Sequence, residues 1–108
     1  MEKVVLMRSG ESYLEFEGEL LSSRREGNNF ASTTYSIYRT AGGNFIGAIE
    51  CWDGQTSTMA EDGTLTRRAK VCKTSAGLIE FFRHGDGLPA MAWEALDECD
   101  LIQAEVVD

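Results

Sequence analysis

The sequence predicts an α+β domain in which an antiparallel sheet of about four to five strands, in meander order, carries two C-terminal helices on one face. Three observations predict it. A Gly-Gly-Asn turn separates two aromatic and β-branched runs in residues 34–53. Residues 13–21 alternate between apolar and polar side chains, and two segments after Ser75 have apolar residues at helical spacing. The 108 residues form one domain, 1–108.

The central hairpin allows two registers. A two-residue loop, Gly42-Gly43, places Thr40 opposite Phe45 and mixes charged with apolar side chains on one face. A three-residue loop, 42–44, pairs Ala41 with Phe45, Ile37 with Ile49, and Tyr35 with Cys51. The second register separates apolar from polar side chains better, so we expect it.

Arg39 falls on the apolar face in the expected register, opposite Gly47. An unpaired buried charge is very costly, so the guanidinium must reach a rim or an acceptor. One interpretation is a rim arginine paired with a carboxylate. The other is a binding site for an anion or a partner's carboxylate, because Arg carries forked donors.

The remaining strands and loops follow from alternation and turn residues. Residues 3–7 form an opening strand or an extended lead-in, and residues 13–21 form a strand with glutamates outside. Residues 22–32 and 54–63 are predicted loops. Residues 64–74 form a further strand, whose predicted inward side chains are Leu65, Ala69 and Val71. Arg68 and Lys70 lie on its opposite face, where they can pair with the glutamates of the strand in residues 13–21.

Two helices close the chain. The first begins near Ser75 with a Thr74 or Ser75 cap and stops at 84–87, where His84 interacts with the helix dipole. Pro89 opens the second helix. Its inward arc comprises Leu88, Met91, Ala92, Ala95, Leu96 and Cys99. Trp93 falls off that arc, on the side that carries Asp97 and Asp100, and is predicted to be exposed.

Charge is distributed unevenly along the chain. Seven acidic residues and no Lys or Arg lie in residues 84–108, out of a net charge of −8. This balance disfavours direct binding of nucleic acid. Four cations, Arg67, Arg68, Lys70 and Lys73, form a basic strip earlier in the chain. No segment is long and apolar enough to suggest a membrane span or a signal peptide.

The sequence does not predict an enzyme. The single histidine, His84, lies near no recognisable nucleophile motif, and no spacing singles out a pair of carboxylates. The three cysteines are far apart and form no CxxC pair, so we expect free thiols in a reducing cytoplasm and no metal site. No cofactor is indicated.

The hairpin tract YRTAGGNF in residues 38–45, with GELL in residues 18–21, resembles a motif of small bacterial proteins of no known activity, some of them carried on mobile elements. The resemblance covers about half of the chain. It implies a bacterial cytosolic origin and carries no activity or site residues over to this chain.

Two functions follow from the residues. The first is a non-enzymatic protein-binding or regulatory module, in which Trp93, Asp97 and Asp100 meet a basic partner or imitate nucleic acid towards a nucleic-acid-binding protein. The alternative is a site for a small anion between sheet and helices, with Arg39 on the anion and Tyr35 or Trp52 lining it. Self-association through a sheet edge or Trp93, and an acidic surface that serves solubility alone, also stay open.

Overall fold

The structure, a computed structural model, describes residues 1–28, 30–53 and 64–102. Its elements in chain order are β1 (Glu2–Leu6), β2 (Leu14–Gly27), β3 (Ala31–Thr40), β4 (Phe45–Asp53), β5 (Thr64–Cys72), α1 (Ser75–Phe82) and α2 (Ala90–Glu98). The strands form one antiparallel sheet in the order β1-β2-β3-β4-β5. The predicted α+β meander with two late helices against the sheet is confirmed. The predicted loop 54–63 and the tail from residue 103 lie outside the described residues.

The core lies between the sheet and the helices. Helix α1 packs on β4 and β5, and α2 packs on β2 and β3. Ile37, Leu78 and Leu96 are completely buried there, and the ring of Phe82 meets that of Tyr35 edge-on at 6.0 Å. The arc predicted for α2 faces this core: three of its residues are fully buried and three are partly buried (Ala92, Ala95 and Leu96; Leu88, Met91 and Cys99).

The hairpin forms, but its register matches neither expectation. Arg39 pairs with Phe45 and Tyr35 with Ile49, so the loop is residues 41–43. The Thr40 N–H donates to the Asn44 carbonyl at 2.8 Å, and the Thr40 hydroxyl accepts the Asn44 N–H at 3.0 Å. Gly43 ends the loop with a φ of +88°, a conformation that glycine adopts without steric cost. The three-residue loop therefore begins one residue earlier than the predicted loop, 42–44.

The corrected register keeps the predicted faces of the hairpin. Each residue's partner moves by two positions, and side chains alternate with a period of two, so no side chain changes face. Tyr35, Ile37 and Ile49 therefore share the side that the helices cover. Gly47 lies opposite Ile37 rather than Arg39.

Residues 22–27, predicted as loop, continue β2 and pair with β3. The register shifts between Leu20 and Ser22, which marks a β-bulge. Before the bulge the even-numbered side chains of β2 point away from the helices, and after it they point towards them. The loop itself is short: the side chain of Asn28 accepts the N–H groups of Phe30 and Ala31. Polarity alone suggested a loop, whereas backbone pairing with β3 makes the segment a strand.

The predicted inward face of β5 is wrong in part. Ala69 is buried, but Leu65 and Val71 are 39% and 45% exposed. Arg68 and Lys70 lie on the helix side and do not face the glutamates of β2, because β5 pairs with β4 at the far edge of the sheet. The guanidinium of Arg68 lies instead 5.2 Å from the ring centre of Phe81.

The face away from the helices also buries side chains. Ile46 and Ala69 are 1% and 6% exposed there, although no helix covers them. The Ser9 N–H donates to the Arg67 carbonyl at 2.8 Å, and the Arg67 N–H donates to the Ser9 hydroxyl at 2.9 Å. These bonds join the segment after β1 to β5 at the opposite end of the strand order. The sheet therefore curls until its edges meet at this point.

Helix α1 begins as predicted and ends earlier. The side chain of Thr74 caps it by accepting the Gly77 N–H at 3.1 Å. The helix ends at Phe82, so His84 lies outside the last turn and its predicted interaction with the dipole is wrong. His84 instead pairs through its backbone with Gly87, around Gly85 at a φ of +62°. Pro89 stands at the N-cap of α2, one residue before the predicted position.

In the described part of the chain, no helix has the length and apolarity that a membrane crossing requires. The three cysteines, Cys51, Cys72 and Cys99, are free thiols. Burial raises the pKa of Cys72 and Cys99 above the ordinary value of a thiol.

Replacing Gly47 by alanine should destabilise the fold. A Cβ there would lie 2.6 Å from Cδ2 of Phe81 and 2.8 Å from Cδ1 of Leu78, so α1 must shift or its side chains must leave their rotamers. We expect Gly47→Ala to lower the free energy of unfolding in urea by about 1–3 kcal/mol. Gly42→Ala is the control, since only Thr40 Oγ1 lies near, at 3.9 Å. Equal stability of the two variants would contradict the close approach of α1.

Candidate functional site

The outer side of α2 carries an exposed aromatic ring among carboxylates. Trp93 is 45% exposed, as its helical spacing predicts. Glu94, Asp97 and Asp100 are also exposed, and Trp93, Asp97 and Asp100 follow one another at four and three positions. Residues at this spacing lie on one side of a helix. We call these four residues the α2 acidic surface.

The end of α2 positions Asp100. The Asp100 N–H donates to the Asp97 carbonyl and the Leu101 N–H donates to the Leu96 carbonyl, both at 3.0 Å. This is the Schellman arrangement, and Asp100 has the left-handed φ of +56° that it requires. Leu101 packs against the core while Asp100 points outward. The helix end thus places a carboxylate beside Asp97 without burying it.

Glu98 differs from the other acids of α2, because its carboxylate contacts side chains of the sheet. Its carboxylate forms a salt bridge with Arg24 and accepts a hydrogen bond from the Ser22 hydroxyl at 3.0 Å. Both partners follow the bulge in β2, which turns them towards the helices. Among the described residues, Glu94, Asp97 and Asp100 form no salt bridge. Their charges therefore remain available to a partner.

A groove of about 530 Å³ runs beside Trp93. Leu88 and Ala90 supply apolar surface, Asp86 and Glu94 supply carboxylates, and Arg83 also lines the groove. The indole therefore borders a depression and does not stand alone on a convex helix. An amphipathic side chain from another molecule fits such a depression.

Arg39 lies at the rim of the sheet. Its side chain is exposed, and its guanidinium carbon lies 5.3 Å from the ring centre of Phe45, its cross-strand partner. This stacking supports a cation on the apolar side without burying it. The first interpretation, a rim arginine, thus describes its position. Phe45 and Glu19 are its cross-strand neighbours, and Arg39 forms no salt bridge with a described residue.

Tyr35 and Trp52 lie on different faces of the hairpin. Tyr35 is 6% exposed on the helix side, where its hydroxyl donates to Glu26 Oε1 at 3.1 Å. Trp52 follows Cys51 on the other face and borders a separate depression beside Asp53. Arg39 lines neither the cleft at Tyr35 nor the depression at Trp52. The structure does not bring these three predicted site residues together.

A cleft of about 670 Å³ opens beside Tyr35, where the sheet meets the turn between α1 and α2. Arg68, Arg83 and His84 border it. Sequence reasoning missed this group because it assigned Arg68 to the opposite face and His84 to the end of α1. The alternation of β5 was the available signal, since Cys72 has the same parity as Arg68 and is buried against the helices. Choosing Cys72 as the inward residue would have placed Arg68 correctly.

Within the described ranges, no group of three or more His, Cys, Asp or Glu side chains is arranged to hold a metal ion. Comparison with known proteins finds no matching family model, no similar curated protein and no similar solved structure. The α2 acidic surface and the cleft beside Tyr35 are the two candidate sites of the described structure.

Tyr35 should make stability fall at high pH. Burial, and then the hydrogen bond to Glu26, raise the pKa of Tyr35 from 10.0 to about 12. Between these values the unfolded chain has released the tyrosine proton and the folded chain retains it, so stability falls as pH rises. We expect wild type to be more stable than Tyr35→Phe by about 1 kcal/mol at neutral pH. That difference should shrink above pH 10 and reverse its sign before pH 12, because the pKa values of the folded and unfolded chains differ by about two units.

Urea titrations of both proteins at several pH values measure this difference. A constant difference up to pH 12 would show that Tyr35 ionises equally easily in the folded and unfolded chains. Tyr13→Phe is the control, because Tyr13 is 56% exposed. Its substitution should leave the stability of wild type unchanged at neutral pH.

Proposed function

We propose that this protein is a non-enzymatic binding module whose α2 acidic surface contacts a partner protein with a basic surface. The observation that supports it is Trp93, which leaves 45% of its surface exposed on a side of α2 occupied otherwise by carboxylates. A single exposed apolar residue needs no explanation. A large aromatic ring beside a groove and a row of unpaired acids has the composition of a binding surface.

The chemistry of the surface indicates the kind of partner. A lysine or arginine of the partner can stack on the indole and contact Asp97 or Asp100 at the same time. Desolvation of the indole supplies affinity, and the charges supply orientation and a fast encounter. A nucleic-acid-binding protein presents such a basic surface, so it is one class of partner that the proposal includes.

Acids that serve solubility alone would be distributed without regard to an aromatic ring. Here Glu94, Asp97 and Asp100 lie on the same side as Trp93, while Glu98 is paired with Arg24 of the sheet. This arrangement supports the binding module over a surface that only solvates the domain. The proposal includes a cytoplasmic location, which the three free thiols support because reducing compartments keep thiols unpaired.

Trp93→Ala and Asp97→Lys test the proposal. We expect each variant to keep the melting temperature of wild type, because both side chains are exposed, and to lose a partner that wild type captures from a bacterial lysate. Truncation of a central tryptophan weakens binding by roughly 30-fold or more. The partner, once identified by mass spectrometry, is purified, and its dissociation constant is measured at low and high salt. High salt should weaken the binding of the partner to wild type more than its binding to Asp97→Lys.

Matched controls are Tyr13→Ala, which removes another exposed ring, and Glu17→Lys, which makes the same charge change on β2. Both should bind like wild type. If wild type and all four variants recover the same proteins with the same affinity, the α2 acidic surface takes no part in binding.

A further inference from the structure

The cleft beside Tyr35 has an apolar floor. The rings of Tyr35 and Phe82 and the side chains of Ile49 and Leu88 line it. Tyr35, Ile49 and Phe82 belong to the buried core, so packing within the core fixes their positions. A volume of about 670 Å³ is within the range of small-molecule sites, and a floor of this kind suits an aromatic or branched apolar group.

The wall of the cleft is cationic. Arg68 and Arg83 border it together with His84, whereas Glu26 is the carboxylate on its lining. Glu26 already accepts the Tyr35 hydroxyl at 3.1 Å. The protein carries a net charge of −8, so two arginines against one carboxylate around a cleft are a local reversal of sign. Such a reversal favours an anion at this place.

The guanidinium N–H groups of Arg68 and Arg83 are not all occupied by partners within the protein. Arg68 forms no salt bridge with a described residue, and its guanidinium stacks over Phe81, which leaves its edge N–H groups free to donate. Arg83 lies 3.7 Å from Glu80, in an exposed pair of the kind that contributes little. Both guanidinium groups can therefore turn to a bound carboxylate at small cost.

We propose that this cleft binds a small organic carboxylate with an aromatic or branched apolar body, its body on Tyr35, Phe82 and Leu88 and its carboxylate on Arg68 and Arg83. The site contains no residue of the α2 acidic surface and does not depend on the proposed function, although Arg83 and Leu88 also border the groove beside Trp93. It also moves the anion site away from Arg39, to arginines that the fold brings to the same cleft.

Three probes of equal size separate recognition of the anion from burial of the apolar body: naphthoate, naphthamide and the naphthylmethyl ammonium ion. Calorimetry gives each dissociation constant for the full chain, and amide chemical shifts locate the probe. We expect naphthoate to bind about tenfold or more tightly than the amide, and the ammonium ion to bind most weakly. Shifts should concentrate at Tyr35, Ile49 and Leu88.

Arg68→Met and Arg83→Met, made separately, should each weaken the binding of naphthoate by about tenfold and leave the affinity for naphthamide unchanged. Arg25→Met is the control, because Arg25 is exposed on the opposite face of the sheet and its loss changes the net charge equally. The proposal is overturned if no probe binds, if the three head groups bind alike, if the shifts centre on Trp93, or if neither cleft variant weakens naphthoate.

Discussion

Helices α1 and α2 lie over one face of the sheet, α1 on β4 and β5 and α2 on β2 and β3, and the side chains packed between helices and strands hold the sheet in its observed form. Full burial of a residue such as Ile37, Leu78 or Leu96 contributes about 1.5–3 kcal/mol, which makes this layer the main source of stability. The approach is close because Gly47 has no side chain beneath Phe81 and Leu78. Both candidate sites depend on this packing, since it fixes which side of α2 faces solvent and where the cleft opens.

The bulge in β2 connects the two faces of the sheet. Before it, Phe16 points to the side away from the helices, where its ring meets Tyr38 edge-on at 5.6 Å. After it, Ser22 and Arg24 point to the helix side and hold Glu98 of α2. One strand thus contributes to two apolar layers, because an extra residue reverses the alternation. That contact uses one carboxylate of α2 and leaves the others on the α2 acidic surface.

The two candidate sites have opposite chemistry. The α2 acidic surface combines an exposed indole with free carboxylates, which suits a large basic partner. The cleft beside Tyr35 combines a buried apolar floor with guanidinium groups, which suits a small anion. Arg83 and Leu88 border both the cleft and the groove beside Trp93. The cleft and the groove therefore share part of their lining.

The sequence by itself determined the elements whose signals are local. The aromatic and β-branched runs around Gly42-Gly43 specify a hairpin, the spacing of Ala92, Ala95 and Leu96 specifies the buried side of α2, and Trp93 falls outside it for the same reason. These signals need only the period of a strand or a helix. The sequence also predicted correctly which hairpin side chains share a face, although the loop lies one residue earlier than expected. Each residue's cross-strand partner moves by two positions, and a shift of two positions leaves every side chain on the same face.

Tertiary structure alone decided what depends on contacts between distant segments. Residues 22–27 are polar, and only pairing with β3 makes them a strand. Either Ala69 or Arg68 could have faced the helices. The alternation of β5 does not decide between them, because the curled sheet buries parts of both faces. For the same reason, the grouping of Arg68, Arg83 and His84 at one cleft was invisible in the chain, while Arg39 stayed at the rim. Face and register across strands depend on long-range packing, which no short window of residues contains.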